Sequence, residues 1–376
     1  MGTDLKENAV GRAAVPDKTA GAGRNYGVDA LRIFSMFLVL ILHILQKGDL
    51  LSGAFNAATG TAWALEIMAY CAVDIYALIS GFVGYTDKPK PFRCVKPLRL
   101  WVQVFTYSFG ITLAAFLVFP QKVTEKQLFS SLVPIASRPY WYFTAYILLL
   151  ILQPFVNRFL RFESEKQLTR LAAVSVFFLS VFPQFSAHFE VNDPFVTFNG
   201  YSFLWLLFLY ILGAWIKRID LVNRMRPAVA LVGMLLCGAV TWIVRELVPE
   251  RFKLRLLVNY TSPTVLFMAV AYLVLFARMR VGRRAAGAIA FFAPASFGAY
   301  LLHVHPLVWN KVLPRMFLWI SKEPVLMAAE VLGCAVVLLA LFMLIEKLRL
   351  WLFRVLQIDR LVGMIGSKLD ASFAGG

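Results

Sequence analysis

Ten times between residues 29 and 346 the chain runs through a predominantly apolar stretch that is close to bilayer length. These stretches are 29–47, 60–84, 98–118, 140–158, 168–183, 200–216, 227–244, 262–277, 287–309 and 324–346. A hydrocarbon core about 30 Å thick takes a helix of roughly 20 residues, so 168–183 and 262–277 sit at the short end. Lipid offers an open sheet no partners for its backbone, and helices satisfy their own. The expected fold class is therefore all-α, a polytopic membrane protein of about ten transmembrane helices.

Composition agrees with that class. The chain is 60% hydrophobic and 16% charged, where soluble domains average about 45–50% apolar and about 25% charged. A formal net charge of +17 raises the question of nucleic acid. The lysines and arginines, however, fall in short clusters between apolar runs, which is the pattern of loops flanking membrane helices. No nucleic-acid partner is expected; membrane lipid is. Ten crossings put both termini on one side. The segments on that side hold 26 of the 38 lysines and arginines, the opposite segments hold 11, and Arg32 lies inside the first run. The positive-inside rule then makes both termini cytoplasmic. One loop, 245–261, runs against the trend with four basic residues on the far side.

Residues 1–25 are small and polar, and read as a disordered cytoplasmic tail rather than a signal peptide. Residues 26–350 form the transmembrane domain, and 351–376 a cytoplasmic C-terminal tail. Cys71, Cys94, Cys237 and Cys334 show no CxxC and no paired spacing, so neither a disulfide framework nor a metal site is expected from them.

Ionisable residues inside these runs are costly and tend to be functional. Arg32 and His43 stand eleven positions apart in DALRIFSMFLVLILH. On a helix they project within roughly 20° of each other, about 16 Å apart along the axis. Asp29 is spaced to pair with Arg32. The second run carries Glu66, Asp74 and the small pair Ser80-Gly81. A mid-membrane carboxylate needs a partner, whereas Ser-Gly on its own favours close helix packing. Arg93, Lys96 and Arg99 recur at threes before the third run; singly they are positive-inside charge, together a candidate anion site. Trp141 and Tyr142 open the fourth run as interfacial anchors, and Pro154 marks a kink. SFGAYLLHVHP places His303 at about the depth of His43, with His305 beside it. A metal is the secondary reading of these histidines, and the ligand set is incomplete.

In their order, these blocks resemble the integral-membrane acyltransferase family three, O-acyltransferases of cell-surface polysaccharides. The matching features are Arg32 and His43 in the first helix, DIYALISGF at 74–82, the basic block from Arg93 to Arg99, YWYF to Pro154, and SFGAYLLH at 296–303. The resemblance implies transfer of an acyl group, most often acetyl, from cytoplasmic acyl-coenzyme A to a sugar hydroxyl of a polysaccharide or lipid-linked glycan. Acetyl-coenzyme A is then a co-substrate, and no metal is implied. His43 and Asp74 become the candidate catalytic pair, with His43 as base or acyl carrier and Asp74, or failing that Glu66, fixing its tautomer. Arg32, Arg93, Arg99 and Ser80 are candidates for the donor, and Glu66, Trp141, Tyr300 and His303 for the acceptor. No appended esterase-like domain of the kind some members carry is expected. The competing class is a transporter or flippase of a lipid-linked sugar or organic anion, using the same buried charges; a silent sensor or scaffold is a third.

Overall fold

The computed structural model describes residues 24–54, 56–88, 91–137, 139–186, 193–247 and 257–374. Residues 1–23 of the expected tail and the centre of the basic loop 245–261 lie outside the described residues. The described residues form helices and no strands, as the apolar runs require.

Helix α1 (Tyr26–Lys47) is the first run. The Asn25 side chain caps it by accepting the Val28 N–H at 3.1 Å, and Asp29 occupies the first turn, where the helix dipole favours a carboxylate. The second run is a broken span, α2 (Ala57–Tyr70) and α3 (Ala72–Gly84), interrupted at Cys71. A capping box of Asn56 and Thr59 starts it. α4 (Val95–Val118) follows, then a short α5 (Glu125–Leu132) and α6 (Trp141–Phe162). α7 (Glu165–Val176) continues through a π turn at 177–181 into α8 (Phe182–Ser186). α9 (Phe203–Arg218), the single turn α10 (Leu221–Arg224), α11 (Pro227–Leu247) and α12 (Pro263–Ala277) come next. α13 (Arg283–Phe292) and α14 (Ser296–His303) make one span around a 3₁₀ turn at 293–295. A π turn at 308–312 leads to α15 (Leu313–Met316). The long α16 (Pro324–Val355) and α17 (Ile358–Ala374) complete the order.

Eight helices among the described residues are long and apolar enough to cross a membrane. The other two expected runs are α9 and α12, of 16 and 15 residues. The C-terminal ends of both meet other connections of the bundle. At one end the Asn25 amide donates to the Ala277 carbonyl (2.8 Å), Arg278 to Met225 (2.8 Å), Arg218 to Glu163 (2.9 Å) and Lys217 to Tyr85 (2.8 Å). At the opposite end the Trp242 indole donates to the Gly60 carbonyl (2.9 Å), and Lys311 reaches the Lys122 carbonyl. Connections that ten crossings would place together do meet. The first set gathers the arginine-rich loops and is called the basic end below.

α1 lies at the centre: 67% of its apolar window is buried, against 22% for α4 and α11. α3 and α9 cross so closely that a Cβ on Gly81 would lie 2.0 Å from the Tyr210 carbonyl oxygen, and one on Gly213 2.2 Å from that of Leu78. Gly81 therefore serves packing. Residues from 351 onward continue α16 and form α17, which is tied back when the Cys94 N–H donates to Asp370 Oδ1 at 2.6 Å.

Candidate active site

Two of the histidines form a direct pair. His43 Nδ1 lies 2.8 Å from His303 Nε2, and His303 Nδ1 lies 2.7 Å from the Ala299 carbonyl oxygen. A carbonyl only accepts, so His303 Nδ1 carries the hydrogen and its Nε2 is an acceptor. That acceptor takes the Nδ1 hydrogen of His43. In the neutral pair His43 Nε2 is thereby left with a lone pair, and among the described residues it has no hydrogen-bond partner. His303 is buried at 1% exposure. His43 instead lines a cavity of about 340 Å³, with Trp309 edge-on to its ring at 4.6 Å. This is the arrangement of a base held by a second ring.

The partner expected for His43 was a carboxylate, and the structure corrects this. Asp74 lies on the first turn of α3, fully buried, and accepts the Trp205 indole N–H at 2.9 Å. Its second oxygen and Glu66 Oε2 are buried without a partner among the described residues. Neither carboxylate lines a cavity with His43. Residue spacing on one helix cannot reveal that a distant α14 reaches His43 first.

The small cavity is also lined by Trp141 and Tyr300, together with Tyr201 and Tyr260. Trp141 packs 4.6 Å from Tyr201, which packs 5.0 Å from Tyr260. These aromatic faces suit the apolar faces of a sugar ring. His305 is structural: the Leu307 N–H donates to its Nδ1 (3.3 Å), so Nε2–H donates to the Ser108 carbonyl of α4 (3.2 Å). No group of three or more His, Cys, Asp or Glu among the described residues is placed to hold a metal ion.

A second cavity, about 760 Å³, lies at the basic end. Arg32, Lys96, Arg99 and Ser80 line it, and so does Arg349. Arg32 is fixed by Asp29 at 2.7 Å, which also holds Arg24 at 2.6 Å. Arg93 does not line this cavity and is exposed; Lys96 and Arg349 stand where it was expected. Arg349, which the sequence does not single out, is anchored inside the bundle. Glu346, fully buried, accepts Arg349 through two bonds (2.8 and 2.6 Å), the Tyr107 hydroxyl (2.5 Å) and Gln103 (2.9 Å). The signal available in sequence was a carboxylate within an apolar run, three residues before an arginine.

Gly298 explains the small residue in SFGAYLLH, since a Cβ there would lie 2.5 Å from Glu346 Cδ. The two cavities share three lining residues, Tyr76, Tyr142 and Phe297. These rings form a thin partition between them.

A family model described as an acyltransferase domain matches residues 25–347. No curated protein and no solved structure matches the chain.

Proposed function

This multi-pass membrane chain belongs to the acyltransferase family whose model it matches over residues 25–347, and we propose that it is an acyl-coenzyme A-dependent O-acyltransferase of the cell (inner) membrane. The donor is cytoplasmic acyl-coenzyme A, acetyl in the first instance, and enters the cavity at the basic end. The acceptor is a hydroxyl of a polysaccharide or lipid-linked glycan and enters the smaller cavity from the other side. The observation that carries this reading is the pair of cavities that share Tyr76, Tyr142 and Phe297 in their walls, with His43 lining the smaller one.

The chemistry follows from what lines each side. Coenzyme A carries phosphates, which guanidinium groups bind with charge-assisted, often bidentate bonds; Arg32, Arg99 and Arg349 supply them, with Lys96 as a point charge. A sugar presents hydroxyls and apolar faces, and the smaller cavity supplies His43 among aromatic rings. An imidazole is the side chain whose basicity suits removal of a hydroxyl proton near neutrality. A transporter shares the two-cavity geometry, but transport gives no role to a base oriented by a second histidine.

The test is thiol release from acetyl-coenzyme A by protein in proteoliposomes supplied with extracted envelope glycans. Wild type releases coenzyme A and His43→Ala does not, while Arg32→Ala raises the KM for the donor. Movement of donor or glycan without thiol release would establish transport instead.

A further inference from the structure

When an alkoxide adds to a thioester, the carbonyl oxygen becomes negative and needs a donor placed for it in advance. Of the three partition residues, Phe297 has no donor, and the Tyr76 hydroxyl already donates to the Arg32 carbonyl at 2.7 Å. The Tyr142 hydroxyl is buried and has no hydrogen-bond partner among the described residues. Folded proteins rarely leave a buried hydroxyl unpaired, so an orphan in the wall between two cavities points to a missing occupant. Its ring packs edge-on to Trp141 at 5.6 Å and to Tyr300 at 6.2 Å, and stacks on Tyr146 at 5.8 Å. Tyr300 in turn lies 6.1 Å from His303, the ring that orients His43. Other orphan oxygens do not compete. Those of Glu66, Asp74, Tyr140 and Gln184 belong to residues that line neither cavity.

We propose that Tyr142 is a catalytic residue whose phenol O–H stabilises the oxyanion as the acyl group crosses the partition; this rests on the transferase reading above. In the first half of the reaction His43 Nε2 takes the acceptor's hydroxyl proton, and the acceptor oxygen bonds to the thioester carbon. The carbonyl π pair moves onto its oxygen and meets the Tyr142 O–H. In the second half that pair returns, the C–S bond breaks, and the thiolate takes the proton from His43. The products are the glycan ester and coenzyme A thiol, with every proton and electron pair accounted for. The hydroxyl is sealed while the partition is closed, and the thioester oxygen is the acceptor that reaches it when the rings part.

The deciding experiment compares wild type, Tyr142→Phe and Tyr140→Phe in the same proteoliposome assay with acetyl-coenzyme A and extracted envelope glycans. Tyr142→Phe lowers kcat by about 10²–10³-fold, the usual effect of losing one oxyanion donor, with the donor KM within a few-fold. Tyr140→Phe, which removes an orphan hydroxyl outside both cavities, keeps the wild-type rate. Tyr142→Phe also melts no lower than wild type, since no bond of the resting protein is lost. Three results overturn the inference alone: undiminished kcat, a change confined to KM, or a lower melting temperature showing that the hydroxyl had a partner. If wild type releases no thiol, the transferase reading falls and takes the inference with it.

Discussion

His303 shows most directly what a single side chain contributes. It touches neither cavity, yet the Ala299 carbonyl on one nitrogen fixes which nitrogen of His43 is free. Replacing it should leave donor binding intact and remove the orientation of the base. His303→Ala is expected to lower kcat by about 10²-fold, within the range general-base catalysis contributes, with little change in the donor KM. His303→Gln, whose amide oxygen can accept the His43 Nδ1 hydrogen, should recover part of the loss; parallel kinetics of the two variants check this. Gly298 makes a second case. A methyl at that position meets the Glu346 carboxyl at 2.5 Å, so Gly298→Ala must displace the group that anchors Arg349. A cost of about 1–3 kcal/mol, typical of overpacking, should appear as a lower melting temperature in detergent, accompanied by weaker donor binding.

Among the elements, the broken span of α2 and α3 and its crossing with α9 carry the most information. Apolar periodicity located each run and the approximate ends, because lipid imposes length and composition on every spanning helix. It did not reveal the interruption at Cys71, nor the π turns at 177–181 and 308–312. Within the first π turn the Ser180 hydroxyl donates to the Thr261 carbonyl at 2.7 Å, a contact between segments far apart in sequence. The Ser80-Gly81 pair separates into two roles: Gly81 admits the α9 backbone, and Ser80 lines the large cavity. Gly81→Ala forces a Cβ to within 2.0 Å of a backbone oxygen, and neither helix can yield without unpacking. Expression in the membrane and monodispersity in detergent should fall for Gly81→Ala and hold for Ser80→Ala. Equal behaviour of the two would show that the crossing is slack.

At the scale of the whole molecule, the candidate site was legible in part. His43, Arg32, Arg99, Ser80, Trp141 and Tyr300 each line one of the two cavities, because intramembrane charge and motif-bearing aromatics stand out against apolar sequence. Asp74, Glu66, His303 and Arg93 do not, and Arg349 was missed, because which helices adjoin is a property of tertiary packing that no single run records. If the large cavity binds a polyanion through Arg32, Lys96, Arg99 and Arg349, donor affinity should weaken with ionic strength, as exposed charge pairs do. Arg99→Gln and Arg349→Gln should each raise the donor KM by about tenfold, the scale of one charge-assisted bond. Isothermal titration with a non-transferable acyl-coenzyme A analogue at two salt concentrations measures both effects.

The wall of that cavity has one more consequence. It is built from Arg32 near one end of the family-matched stretch and from Arg349, Phe353, Asp359 and Val362, which all lie beyond its last matched residue at 347. Because α16 and α17 are the last helices to be synthesised, the wall they supply is the last to be built. The large cavity is therefore complete only once α17 has docked beside α4.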